Sequence, residues 1–214
     1  MTSTIDLLLM LLMLTNLALL GTSRIVACIR TAAFQGILLG LLTLATHTAD
    51  LTARVVLLAI GSMILKAWVF PWLLGRAQRE AGVRREVEPY VGFTLSILMG
   101  LAAMGASFWL GSRLPPSGPA PSALLAPAAF FTIASGLFLI VSRRNALSQV
   151  LGYLVLENGI FAFGVALALE EPFLVEMGVL LDVFVAVFVM GIAIFHINRE
   201  FDHIDVDRLT VLKG

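Results

Sequence analysis

The chain contains seven apolar runs of 17 to 25 residues, at 5–21, 25–46, 55–75, 90–111, 124–142, 147–169 and 173–197. Each is about the length that a helix needs to cross the hydrocarbon core of a bilayer. Water is absent from that core, so the backbone amides of such a run must be paired within the run itself, and the run becomes a helix. The expected fold is an all-α integral membrane protein with seven transmembrane helices. Charged residues make up 13% of the chain and apolar ones 59%, whereas a soluble domain carries about 25% charged residues. Seven spans and their loops leave nothing over for a soluble domain in 214 residues, so any catalytic head is expected to belong to another chain. The first run is expected to be a retained helix: no Lys or Arg precedes it and no small-x-small cleavage site follows it, unlike a signal peptide.

Two connections are longer than the rest. Residues 76–88 are charged, and residues 114–121 hold Pro115, Pro116, Pro119 and Pro121, which remove backbone donors and cannot continue a helix. The second divides the chain into a four-helix part (1–113), a Pro-rich hinge (114–123) and a three-helix part with a tail (124–214). Given seven spans, eleven of the 14 basic residues fall on one side: Arg24 and Arg30, Arg76 to Arg85, Arg143 and Arg144, then Arg199, Arg208 and Lys213. Arg54 and Arg113 fall on the other. The positive-inside rule then puts the N-terminus outside and the C-terminus in the cytoplasm. The tail after Ile197 reads equally as a solvated end or as a strap that docks on a neighbouring subunit.

Against this apolar background the informative residues are the polar ones at mid-membrane depth. Counted from the span ends, Lys66, Glu157 and Gln35 lie at the centres of their helices, and Asp182 lies about one turn to the outer side of the centre of the last. A charge there costs at least about 2.5 to 3.5 kcal/mol, so these side chains must face the interior, pair with one another or meet water. An ion pair that only fixes packing is one reading. The other is an ion pathway, because two carboxylates against one ammonium form an unequal set that can exchange protons. Gln149, Tyr153 and Glu157 recur every four residues and so make one polar stripe from the cytoplasmic end to the centre. Asn158 adjoins it. In the last span Gly178, Asp182, Ala186, Val189 and Ala193 share a face of small residues, with His196 near its inner end. Pro71 brings no amide hydrogen to the turn that contains Ala67, so the helix just after Lys66 can kink.

Other chemistry lacks its residues. One cysteine, Cys28, permits no internal disulfide and no cluster of thiolate ligands, and three histidines offer little for a metal. His47 and His196 sit at opposite ends of their spans and do not make a haem pair. No phosphate loop, zinc spacing or nucleophile elbow is present, and no nucleic-acid partner is indicated.

The stretch from Ser142 through Arg143, Arg144, Asn145, Ala146, Leu147, Ser148, Gln149, Val150, Leu151 and Gly152 to Glu157 and Asn158, with Met190 to Ala193 later, resembles the K subunit of respiratory complex I and the C subunit of multisubunit cation/proton antiporters. With the four preceding helices, the Ala45-Thr46-His47 turn and the Lys66 to Pro71 segment, the whole chain resembles component E of hydrogenase-4. The resemblance implies a non-redox membrane subunit of a complex-I-like [NiFe] hydrogenase or formate hydrogenlyase in the cell inner membrane. No cofactor is implied in this chain. Its partners would be antiporter-like and quinone-site-like membrane subunits, and a hydrogenase peripheral arm holding nickel, iron and iron–sulfur clusters. The K-subunit pattern has its first membrane glutamate two residues after the glycine, where this chain has Leu154, and Glu157 follows three residues later on nearly the same face. The second family glutamate would fall at Val187, five residues after Asp182. The expectation is therefore a proton-translocating subunit with Glu157 as central carrier, Asp182 as outer carrier and Lys66 as the charge that tunes them, supported by Gln35, Gln149, Tyr153, Asn158 and His196. Its rivals are a self-sufficient cation/proton transporter and a passive membrane anchor.

Overall fold

A computed structural model describes residues 2–46, 53–80, 90–114, 122–167 and 191. Every described element is a helix: α1 (Thr2–Gly21), α2 (Ile25–Thr46), α3 (Ala53–Ile64), a π turn (Leu65–Val69), α4 (Phe70–Glu80), α5 (Phe93–Gly111), α6 (Leu125–Ser142) and α7 (Ala146–Leu167). Among the described residues five helices, α1, α2, α5, α6 and α7, are long and apolar enough to cross a membrane. The chain is thus a multi-pass membrane protein. The expected seventh span (173–197), the tail and the Pro-rich residues 115–121 lie outside the described residues, as do the sites Asp182 and His196.

The expected third span is not one uninterrupted helix. It runs from Ala53 to Glu80 as α3, π turn and α4, and α2 packs along all three pieces. The cause is local. Phe70 donates its amide hydrogen five residues back, to Leu65 O, and the next residue, Pro71, has no hydrogen to donate. One extra residue is absorbed where the ordinary ladder is already broken.

Helix ends are closed by short-range chemistry. Asn145 is the N-cap of α7: its Oδ1 accepts from the Leu147 amide at 3.0 Å and its carbonyl from the Gln149 amide at 3.0 Å. Before α6, Ser122 Oγ accepts from the Leu124 amide and donates to Asp6 of α1. At the opposite end of the bundle, Arg143 reaches Leu20 O and the Tyr90 amide reaches Ser142 O. Successive passes therefore alternate in direction. Helices from both sides of the Pro-rich segment pack together, with α6 on α1 and α5, and α7 on α2 and α6.

Between α6 and α7 the backbones nearly touch. A Cβ on Gly136 would strike Leu156 backbone atoms, and one on Gly159 would strike those of Ile133. This is the close approach that small residues permit where packing, rather than hydrophobic exclusion, joins helices in lipid. Buried apolar side chains form two separate clusters. One, near the Arg143 end, includes Leu19, Ile29, Phe70, Leu139, Leu151 and Val155. The other, near the Asp6 end, includes Leu9, Leu12, Leu39, Phe131 and Ala162. What separates them is polar.

Candidate functional site

The gap between the clusters holds Asn16 on α1, Gln35 on α2, Lys66 in the π turn, Thr132 on α6, and Glu157 and Asn158 on α7, all buried. Lys66 Nζ lies 2.8 Å from Glu157 Oε1, with the two side chains 4% and 2% exposed. It also donates to Asn158 Oδ1 at 3.1 Å and stands 5.2 Å from the centre of the Phe161 ring.

How Lys66 reaches that position depends on two features. The π turn shifts the register of the helix at this residue. On the facing helix, Gly36 removes the side chain that would otherwise stand in the way, since a Cβ there would collide with Lys66 Cβ. One turn further on, a Cβ at Gly40 would collide with Met63. The Gly36 and Gly40 pair is thus a notch in α2 into which the third pass settles, with the lysine carried past its floor.

From Lys66 the hydrogen bonds continue in one sense. Asn158 Nδ2 donates to Gln35 Oε1 at 3.3 Å, Gln35 Nε2 donates to Asn16 Oδ1 at 2.7 Å and Thr15 Oγ1 at 3.0 Å, and Asn16 Nδ2 donates to Thr132 Oγ1 at 2.8 Å. The two hydroxyls end the chain on backbone carbonyls, Thr132 on Ala128 O and Thr15 on Leu12 O. Each amide accepts on the side nearer Lys66 and donates on the side away from it. The dipoles are therefore aligned head to tail with their negative ends toward the ammonium, and in a low-dielectric interior they reinforce one another in favour of a positive charge at Nζ.

Glu157 is held differently. Only Oε1 is bonded, and Oε2 is buried with no partner. On the Lys66 side of the pair lies a small recess, lined by Lys66, Pro71, Leu154 and Asn158 among others. Leu154 and Asn158 are four residues apart on α7, so they share a face. The arrangement joins an ammonium and a carboxylate that can pass a proton across 2.8 Å, an unoccupied carboxylate oxygen, and an amide chain that fixes the lysine. Amides hold geometry but have no group that titrates near neutral pH, so any proton route through the site would have to run through Lys66 and Glu157.

Four of the eight residues singled out from the sequence, Lys66, Glu157, Asn158 and Gln35, thus lie in one bonded group. Gln149 and Tyr153 do not join it. Gln149 is exposed and donates to Arg143 O at 3.1 Å, and Tyr153 packs, half-buried, on the cluster near the Arg143 end. The stripe with Glu157 is real in spacing, but among the described residues it is not a run of hydrogen bonds. Sequence reasoning missed Asn16, Thr15 and Thr132. Asn16 carried a signal, being an amide inside an otherwise apolar run; threonines bonded to their own helix give none.

Residues 124–214 match the family model of NADH-ubiquinone/plastoquinone oxidoreductase chain 4L. The chain is 34% identical over 188 residues to uncharacterized protein Rv0085 of Mycobacterium tuberculosis, covering 87% of this chain and 86% of that one. It is 44% identical over 79 residues to hydrogenase-4 component E of Escherichia coli, which is 37% of each chain, and to the same degree to that of Shigella flexneri. No solved structure matches it.

Proposed function

The chain belongs to the hydrogenase-4 component E family, with a C-terminal part of the chain 4L type, and we propose that it is a non-redox membrane subunit of a complex-I-like group 4 [NiFe] hydrogenase or formate hydrogenlyase. In this reading it sits in the cell inner membrane with the N-terminus outside and contributes to moving protons, or sodium ions, as partner subunits transfer electrons. The nickel–iron centre and iron–sulfur clusters belong to those partners, and this chain holds no catalytic centre of its own. Antiporter-like and quinone-site-like subunits flank it, and a peripheral arm supplies the electrons.

One observation carries the reading: a buried lysine and glutamate in contact at the level where two apolar clusters part, with a small recess on the lysine side. Glu157 is the central carrier. Lys66, fixed by Asn158, Gln35 and Asn16, is the charge paired with it. Asp182 is the outer carrier, with His196, Gln149 and Tyr153 as supporting polar groups toward the cytoplasm.

Purification in mild detergent tests the assignment. Copurification with a nickel-containing subunit and antiporter-like chains is expected. If the chain runs alone and supports proton-driven cation flux in proteoliposomes, it is a self-sufficient transporter and the subunit reading fails. A complex that forms normally and couples fully with Glu157→Gln would make the polar layer a passive lock between helices.

A further inference from the structure

Away from the polar layer, the largest fully buried side chain is that of Arg143, which is 1% exposed. It is the first residue after α6, in a connection of three residues before α7. Its Nη2 donates to Leu20 O at 3.0 Å, one of the carbonyls that the end of α1 leaves free, where a cation is favoured. Its guanidinium lies 5.1 Å from the centre of the Phe93 ring. Those contacts satisfy one side of the fork. The other nitrogen, Nη1, is buried with no partner, and so is Ser148 Oγ in the first turn of α7.

Arg143 and Ser148 both line one small recess, together with Leu19, Thr22, Cys28 and Leu139. A buried guanidinium with a free N–H beside a free hydroxyl is costly when left so. Among the described residues no carboxylate is bonded to it. Burial also pulls the Arg143 guanidinium below its ordinary basicity, and an anion in contact would reverse that.

We infer that this recess is a binding site for a phosphate oxygen of an anionic phospholipid, held by Arg143 Nη1 and Ser148 Oγ. Location favours a headgroup. The recess lies at the level where α1 and α6 end and α7 begins, at the end of the bundle where Arg24, Arg30 and Arg144 are exposed. Anionic headgroups gather at such a basic rim, each basic residue contributing about 1 kcal/mol near the surface. A free phosphate ion shares this chemistry but gains nothing from the acyl chains.

The test uses the full chain, with whatever subunits copurify, delipidated in a neutral detergent and titrated with phosphatidylglycerol, phosphatidylcholine or inorganic phosphate. Native mass spectrometry counts bound lipid, and thermal unfolding reports stabilisation. Phosphatidylglycerol should be retained and should raise Tm, with phosphatidylcholine and inorganic phosphate much weaker. Ser148→Ala, which removes one small group and should fold, should weaken retention by about tenfold, the worth of a hydrogen bond to a charged group. Arg143→Lys keeps the charge but loses the fork, and should weaken it further. Equal retention of the two lipids, or unchanged retention in Ser148→Ala and Arg143→Lys, would overturn the site. Full stabilisation by inorganic phosphate alone would overturn the lipid assignment, as would displacement of the lipid by an acidic partner subunit in the intact complex.

Discussion

Breaking the Lys66 and Glu157 pair from one side and from both should give sharply different results. In Lys66→Met, Glu157 loses the ammonium at 2.8 Å while its other oxygen is already without a partner, and Asn158 Oδ1 loses a donor at 3.1 Å. Removing one member of a buried ion pair costs about 3 to 5 kcal/mol, chiefly because the other charge is left uncompensated. Glu157→Leu should fall at the lower end of that range, since Lys66 keeps its bond to Asn158 and the nearby Phe161 ring. Combining the two removes both charges and leaves an apolar pair of similar volume, so the remaining cost is the unpaired Asn158 oxygen, about 1 to 3 kcal/mol. The double variant should therefore be at least as stable as Lys66→Met and far more stable than the sum of the single losses. Equilibrium unfolding in mixed micelles, followed by helical circular dichroism, measures all four corners of the cycle. Losses that add to within about 0.5 kcal/mol, as for independent sites, would refute the pairing. The same variants separate structure from function, because the double variant should recover stability and still fail to couple.

Three further outcomes follow from the same geometry. Gly36→Val places methyl groups where Lys66 Cβ lies, so it should destabilise the chain by about 1 to 3 kcal/mol, the cost of overpacking, and should lower coupling in the portion that assembles; a neutral effect on both, read by thermal unfolding and vesicle acidification, would show that the notch does not position the lysine. Exchange of Leu154→Glu with Glu157→Leu should retain substantial coupled activity where Glu157→Leu alone loses it, since Leu154 and Lys66 line the same recess; an exchanged protein that assembles but is inactive would show that depth along α7 matters more than facing. Cysteines introduced at Arg24 and Arg144 should be labelled from the cytoplasmic side and one at Arg113 from the outer side, and labelling of Arg24 and Arg113 from one side would contradict the alternation of passes.

The spans of α1, α2, α6 and α7 are legible in the sequence to within a few residues because run length in lipid is set by bilayer thickness, not by tertiary context. The polar layer is legible for a related reason: burying Lys66, Glu157 or Gln35 is costly enough that depth alone argues for partners. Which atoms meet is not. The contact of Lys66 with Glu157 spans 91 positions in the chain and depends on the π turn, whose only sequence mark is Pro71. Periodicity placed Gln149, Tyr153 and Glu157 on one stripe, yet the stripe faces changing neighbours along α7, so its Gln149 end is exposed and its Glu157 end buried. Arg143 reads as one of a pair of solvated loop arginines. Its burial comes with contacts to Leu20 O and the Phe93 ring, on other helices, while Arg144 takes the exposed place over the Tyr90 ring.

Glu157 is proposed to take up and release a proton during turnover instead of only pairing with Lys66. The most direct measurement is the number of protons moved per electron pair in sealed inverted vesicles, with the wild-type and Glu157→Gln complexes matched for assembly and for electron-transfer rate through the partner subunits. Glutamine keeps the shape and an oxygen for Lys66 but has no titratable proton. Electron transfer with a reduced or abolished proton yield in Glu157→Gln is the predicted result, and an unchanged yield at full assembly would contradict the account.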